Sequence, residues 1–261
     1  MDPRDIERLG DALYDCLRER NTMAPLTTQY PDMTVEDAYR ISRRMVDRRV
    51  ADGECIVGKK IGVTSKAVQD MLSVRRPDFG FLTSAMVFED GGDMPIGSMM
   101  IQPRAEGEIA FVLGKDLYGP GVSASDVLNA TAAVHVCFEV VDSRIENWKI
   151  KIQDTIADNA SCGMYVLGSE SVDPRGLDLN SCRIVVTKNG ADLSTGLGEA
   201  TLGSPLEAVA WLANTLCEWD IRLNAGDVIL SGSLVPLEPV LPGDHMQACI
   251  EGIGSVSVRF V

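Results

Sequence analysis

The feature that most constrains this chain is a pair of glutamates two residues apart in an apolar stretch, Arg104-Ala105-Glu106-Gly107-Glu108-Ile109-Ala110-Phe111. The run onward to Leu113 has the composition of a strand, in which alternate side chains share a face. Glu106 and Glu108 therefore point the same way, with no side chain between them at Gly107. Two like charges on one face repel unless a cation lies between them. A divalent ion with hard oxygen ligands meets that need, and the competing reading is an exposed edge with two solvated glutamates. A second stretch, Val134 to Asp142, reads as a buried strand interrupted by Glu139. An ionised carboxylate there is costly unless it is metal-bound or paired with a nearby Arg or Lys. Three oxygen donors on two strands fit Mg2+ or Mn2+, with water and substrate completing the coordination.

The surrounding chain is read from its punctuation. Asp2-Pro3 opens a helix bearing Ile6, Leu9, Leu13 and Leu17, and Thr34 to Asp37 resembles a capping box for a second. That second helix presents Val35, Ala38, Met45 and Val46 inward and an Arg-rich outer face through Arg49, solvated or between subunits. Gly53 closes a helical segment over 1–52. Beyond it, Gly58, Lys60, Gly62 and Thr64 share one face of a strand. The flanking glycines leave Lys60 room to face a bound anion, against the alternative of a lysine snorkelling at a strand edge. Ser65 is expected to cap a short helix through Leu72, and Arg75 to Gly80 reads as a turn-rich loop. Arg183 to Ser194 around Asn189-Gly190 is a hairpin with a type I′ turn, and Ser204 to Glu207 is a capping box with Pro205 at the first helical position. Pattern alone gives an α+β chain with a largely antiparallel sheet system.

Composition excludes several classes. A formal net charge of −14 repels phosphate, which argues against nucleic acid and anionic membranes. An anionic substrate must then be captured by a local cation. The 261 residues suffice for one large domain, and no uninterrupted apolar run suggests a membrane span or signal peptide. Seven cysteines without metal-type spacing suggest reduced thiols, so a cytoplasmic location is expected. Of the two histidines, His135 reads as core and His245 as surface. No Ser–His or Cys–His pair supports nucleophilic hydrolysis.

Six stretches carry a family resemblance: Gly58 to Ser65, Pro77 to Leu82, Arg104 to Phe111, Phe138 to Arg144, Ala157 to Ser161, and Ser231 to Pro239. Together they resemble the fumarylacetoacetate hydrolase superfamily, in its hydratase and decarboxylase branch. The resemblance implies a mixed β-roll over 53–261, packed as one unit with the small N-terminal helical segment. It implies that Glu106, Glu108 and Glu139 hold the divalent ion, and that Lys60, Phe79 and Ser161 face the substrate. Lys60, Asp78 (in a loop over the site) and Asp142 become candidates for proton transfer and water positioning. The implied reaction is hydration of 2-hydroxypenta-2,4-dienoate to 4-hydroxy-2-oxopentanoate, from aromatic meta-cleavage degradation. Two alternatives stand beside it: a 4-oxalocrotonate-type decarboxylase, and a non-catalytic partner subunit of such an enzyme. Carbon–carbon hydrolases of this superfamily use a His–Glu pair, and no histidine precedes His135 to supply one. Ser231 to Pro239 resembles the hydratase branch. A homo-oligomer is expected, and a complex with a related decarboxylase is a further partner expectation.

Overall fold

The structure, a computed structural model, describes residues 1–65, 69, 74 and 76–261. The short helix expected through Leu72 falls mostly outside those residues. The N-terminus folds as its caps dictate. Asp2 accepts the Arg4 amide at 2.8 Å and Pro3 begins α1 (Pro3–Glu19). After the single turn α2 (Leu26–Gln29), Thr34 and Asp37 form a reciprocal capping box for α3 (Val35–Ala51). Leu9 and Leu13 of α1 and Ile41, Met45 and Val46 of α3 are buried in one apolar core that continues into the sheets.

Two positions of α3 depart from expectation. Val35, the first residue of the helix, is 43% exposed, whereas Arg49 is only 5% exposed. Arg49 turns inward because acceptors wait there: its Nε donates to Glu54 at 2.8 Å and its Nη2 to the Thr83 hydroxyl at 2.9 Å. The outer arginines are paired on the surface, Arg40 with Glu36, Arg43 with Asp47, and Arg44 and Arg48 with Asp11.

The strands in chain order are β1 (Ile56–Gly62), β2 (Asp78–Thr83), β3 (Val87–Phe88), β4 (Asp93–Met94), β5 (Arg104–Leu113), β6 (Thr131–Val141), β7 (Met164–Leu167), β8 (Arg183–Lys188), β9 (Ala191–Leu197), β10 (Val228–Ser233), β11 (Glu238–Pro239), β12 (His245–Ile250) and β13 (Gly254–Phe260). Helices α4 (Ile96–Met99), α5 (Ala124–Ala130), α6 (Ile152–Ala157) and α7 (Pro205–Leu216) lie between them. One sheet runs β2-β1-β10-β5-β6-β7-β3, with β11 added at the end of β5. The other runs β4-β13-β12-β8-β9. Pairing is antiparallel except for β1 with β10, β3 with β7 and β4 with β13, so the sheets are mixed. The α+β roll expected from the resemblance is the observed fold.

Of three local expectations, the first is met and the other two are not. The turn at Asn189 and Gly190, with φ of 54° and 80°, joins β8 to β9 as a type I′ hairpin. Ser204 precedes Pro205 at the start of α7 but makes no side-chain cap bond, so the expected capping box is absent. Its extended φ of −165° and the exposure of Glu207 leave the two side chains unengaged with the helix end. Asp78, Phe79 and Gly80, expected as loop, are strand residues opposite Gly62, Ile61 and Lys60. Turn propensity at Pro77-Asp78 yields there to burial of Phe79 and Phe81.

Candidate active site

The register of β5 with β6 builds the acidic centre. Glu106 lies directly opposite Glu139, and Glu108 opposite Cys137. Alternation then puts all three glutamates on one sheet face, each contributing a carboxylate oxygen within 4.8 Å of the others. They are 7%, 0% and 1% exposed in chain order. Gly107 serves the other face: a Cβ there would lie 2.8 Å from the Ile184 side chain of the second sheet.

The third strand of the site, β10, carries a register shift between Leu230 and Ser233. Gly232, at φ 107°, aims its N–H at Glu108 Oε2 over 2.8 Å. The Thr64 side chain fills the space that a Cβ on Gly232 would need. This bulge therefore orients one carboxylate, a use bulges often serve near functional sites.

Hydrogen bonding at this centre is incomplete. Among the described residues, Glu108 Oε1 and both oxygens of Glu139 are buried with no hydrogen-bond partner. Burial, then repulsion from Glu106 and Glu139, lifts the Glu108 carboxyl well above its ordinary value. Burial lifts Glu139 to about 8, with Glu106 adding to the rise and Lys60 opposing it. Burial likewise raises Glu106. Orphaned, mutually repelling hard oxygens in a closed space fit a hard divalent cation.

Lys60 projects from β1 onto the same face, and its Nζ stands 3.3 Å from Glu139 Oε1 at an angle outside hydrogen-bond geometry. It is 3% exposed. Burial opposes its charge, but Glu139, Cys162, Glu106 and Asp78 together hold the ammonium above the ordinary lysine value. Lys59 points to the opposite face, where Asp227 pairs with it at 2.5 Å. Asp78 sits across from Gly62, and among the described residues neither of its buried oxygens has a hydrogen-bond partner. A Cβ on Gly62 would overlap Asp78 Oδ1 and lie 3.5 Å from Lys60 Nζ. Gly62 thus leaves open the space between this carboxylate and the ammonium. Burial raises the Asp78 carboxyl, with Lys60 and then the Thr155 hydroxyl opposing.

The free edge of β2 is closed by a side chain. Asn159 accepts from the Phe81 amide at 2.8 Å and donates to its carbonyl at 3.0 Å, replacing a strand partner. Asn159, Ala160 and Ser161 hold left-handed φ of 53°, 52° and 54°. The turn is anchored by the fully buried pair of Arg144 Nε and Asp158 at 2.5 Å. Ser161 turns its hydroxyl to that of Thr155 at 3.4 Å, behind Asp78.

The structure thus brings Lys60, Asp78, Glu106, Glu108 and Glu139 together, with Ser161 close behind. It does not bring in Asp142 or Phe79. Asp142 accepts from the Ile101 and Gln102 amides at 3.0 and 2.8 Å and lines a separate cleft with Arg18, Arg49 and Arg144. It lies just past the end of β6 at Val141, so strand alternation does not place it on the face of Glu139. Phe79 alternates away from Asp78 and is buried against Tyr39 and Phe81. Thr155 escapes a reading of the sequence, whereas Asn159 and Gly232 lie in stretches that carry the resemblance without a role read for either. Gly232, a glycine inside an apolar strand, carries a signal that could have marked it as a bulge.

Fold and site together define a protein with a buried three-carboxylate centre, suited to a hard divalent cation, beside a buried lysine. The chain belongs to the fumarylacetoacetate hydrolase family: residues 49–261 match the description "Fumarylacetoacetate (FAA) hydrolase C-terminal". It is 57% identical to a 2-hydroxyhexa-2,4-dienoate hydratase of Comamonas testosteroni, over 99% of this chain and 98% of that protein. It is 62% identical to a 2-hydroxypent-2,4-dienoate hydratase of Pseudomonas putida, over 85% of this chain and all of that protein. Among solved structures, 4-oxalocrotonate decarboxylase from Pseudomonas putida G7, complexed with magnesium and adipate, superposes at a TM-score of 0.96. That match covers 100% of this chain and 99% of the decarboxylase at 35% identity.

Proposed function

We propose that the chain is a divalent-metal-dependent hydro-lyase that adds water to 2-hydroxypenta-2,4-dienoate, giving 4-hydroxy-2-oxopentanoate in aromatic meta-cleavage degradation. The observation that carries the reading is the buried cluster of Glu106, Glu108 and Glu139 facing Lys60 and Asp78. Mg2+ or Mn2+ held by the three carboxylates would supply Lewis acidity to the substrate carboxylate and C2 oxygen. The residues do the rest. Lys60 brings positive charge to a substrate that the acidic surface repels. Lys60 and Asp78, on the same sheet face, carry protons to and from the chain of the substrate as the dienol ketonises and is protonated at C5. The same pair then positions water for addition at C4, with the final proton delivered at C3. Ser161 supports them through Thr155.

The whole-chain likeness to a decarboxylase leaves the reaction to be separated by chemistry, while identities of 57% and 62% to hydratases favour hydration. Incubation with the dienoate and Mg2+ in heavy-oxygen water should give a product with one labelled hydroxyl and no carbon dioxide. Carbon dioxide from 4-oxalocrotonate without hydration of the dienoate would reverse the assignment. Lys60→Met keeps the aliphatic stem and should lower kcat by roughly 10²–10⁴-fold with the fold retained. A near-normal rate would return Lys60 to a packing role.

Among the described residues no helix is long and apolar enough to cross a membrane. A cytoplasmic homo-oligomer, with a related decarboxylase as a partner, completes the proposal. Cell fractionation checks the location, and sedimentation velocity with and without the decarboxylase checks both associations.

A further inference from the structure

The match to the family begins at residue 49, so most of the N-terminal helical segment lies outside it. That segment adds no carboxylate or ammonium to the acidic centre. It does lie along the strand that carries Asp78. Tyr39, Arg43 and Arg49 of α3 meet Phe79, Phe81 and Thr83, the alternate residues on the rear face of β2. The Tyr39 ring stacks on Phe79 with centroids 4.2 Å apart and planes 13° apart. The Arg43 guanidinium lies 5.8 Å from the centre of the Phe81 ring, and Arg49 donates to Thr83 at 2.9 Å. Trp219 packs edge-on against Tyr39 at 5.3 Å, which pins the ring from a second side.

Asp78 is the first residue of β2, and among the described residues β2 is an edge strand whose single strand neighbour is β1. The Asn159 clamp acts at Phe81, three residues further on. At the Asp78 end, the stack of Tyr39 on Phe79 is a restraint on the rear face. Successive strand residues move together because the backbone between them is stiff. Closeness is felt electrostatically as well: burial first, and then the Asp78 charge, push up the ionisation of the Tyr39 hydroxyl.

We propose that Tyr39 is a positioning residue for the reaction: by holding Phe79 it keeps the Asp78 carboxylate over Gly62 and beside Lys60. The N-terminal helical segment is then a working part of the active site rather than an appendage. This rests on the assignment of Asp78 to proton transfer, which the experiment tests separately.

Four full-length, Mn2+-loaded proteins are compared: Tyr39→Phe, Tyr39→Leu, Asp78→Asn, and Tyr39→Leu combined with Asp78→Asn. Tyr39→Phe keeps the ring and should keep the wild-type kcat. Tyr39→Leu should lower kcat by roughly 10–100-fold, the scale expected when a reacting group is displaced by about 1 Å. Its Mn2+ affinity, read by electron paramagnetic resonance, should stay at the wild-type value. On the Asp78→Asn background the leucine should cause no further loss. The inference fails if Tyr39→Leu has normal kcat, if Mn2+ affinity falls in step with kcat, or if the full loss recurs on the Asp78→Asn background. A normal rate in Asp78→Asn would instead remove the assignment of Asp78, and the positioning role with it. If Tyr39→Leu does not fold, Phe79→Leu removes the same stack from the strand side and is judged by the same outcomes.

Discussion

The charge of single side chains decides how this site takes up its ion. Burial raises the carboxyls of Glu106, Glu108 and Glu139, so each gives up its proton less readily than usual, and mutual repulsion adds to this at Glu108 and Glu139. A cation must displace those protons, so binding releases them and strengthens as pH rises. The sign follows from the raised values: below a raised carboxyl pKa the proton competes, and above it the competition ends. Affinity for Mg2+ should therefore climb through neutral pH and still be rising near pH 8, the level to which Glu139 is pushed. Titration calorimetry of chelator-stripped protein in buffers of different ionisation enthalpy would register the released protons, and a pH-independent affinity would contradict the cluster. Removing charge without changing volume, Glu106→Gln should weaken binding of the ion while leaving the fold intact.

At the scale of elements, β2 has only one strand neighbour among the described residues, and side chains from α3 and the 158–161 turn brace it. Glu54, just beyond α3, is the junction of that brace. It accepts from the Thr83 hydroxyl at 2.5 Å, from Arg49 at 2.8 Å and from Arg18 at 2.8 Å. Burial opposes ionisation of Glu54, yet Thr83 and then Arg49 hold its carboxyl below the ordinary 4.5. A depressed acid pKa contributes stability that is complete above the unfolded value and is lost as pH falls through the folded one. Glu54→Gln should therefore cost about 1 kcal/mol at neutral pH, the lower end for hydrogen bonds to charged groups at a half-buried site. The gap between variant and wild type should close below pH 4.5. Urea unfolding of both proteins at neutral and acid pH measures it, and an unchanged gap in acid would show that Glu54 acts through packing alone.

For the whole molecule, ligand binding to the folded state alone adds RT ln(1 + [L]/Kd), about 2.7 kcal/mol at a hundredfold excess over Kd. For a chain of this size each kcal/mol moves Tm by about 2–4 °C, so saturating Mg2+ should raise Tm by roughly 5–10 °C over the chelated protein. Calorimetry with Mg2+ and with chelator checks this, and equal melting temperatures would argue that the glutamate cluster holds no ion. Short-range pattern alone determined a good deal of the molecule: the strand around Glu106 and Glu108, the lone carboxylate of Glu139, the N-terminal caps, the hairpin at Asn189-Gly190 and the shared face of Lys60 and Gly62. These follow from periods of two and from turn chemistry, which act over a few residues. Tertiary structure alone decided that Asp78 leaves a turn to become a strand residue, that Asp142 and Phe79 face away from the acidic centre, and that Arg49 turns inward. It also decided that Gly62 makes way for a carboxylate and that Tyr39 reaches β2 from another element. Each of those depends on a partner distant in the chain, such as Phe79 for Tyr39, Thr83 for Arg49 or the Ile101 amide for Asp142. No local spacing encodes which of many buried groups such a side chain will meet; packing of the closed fold does.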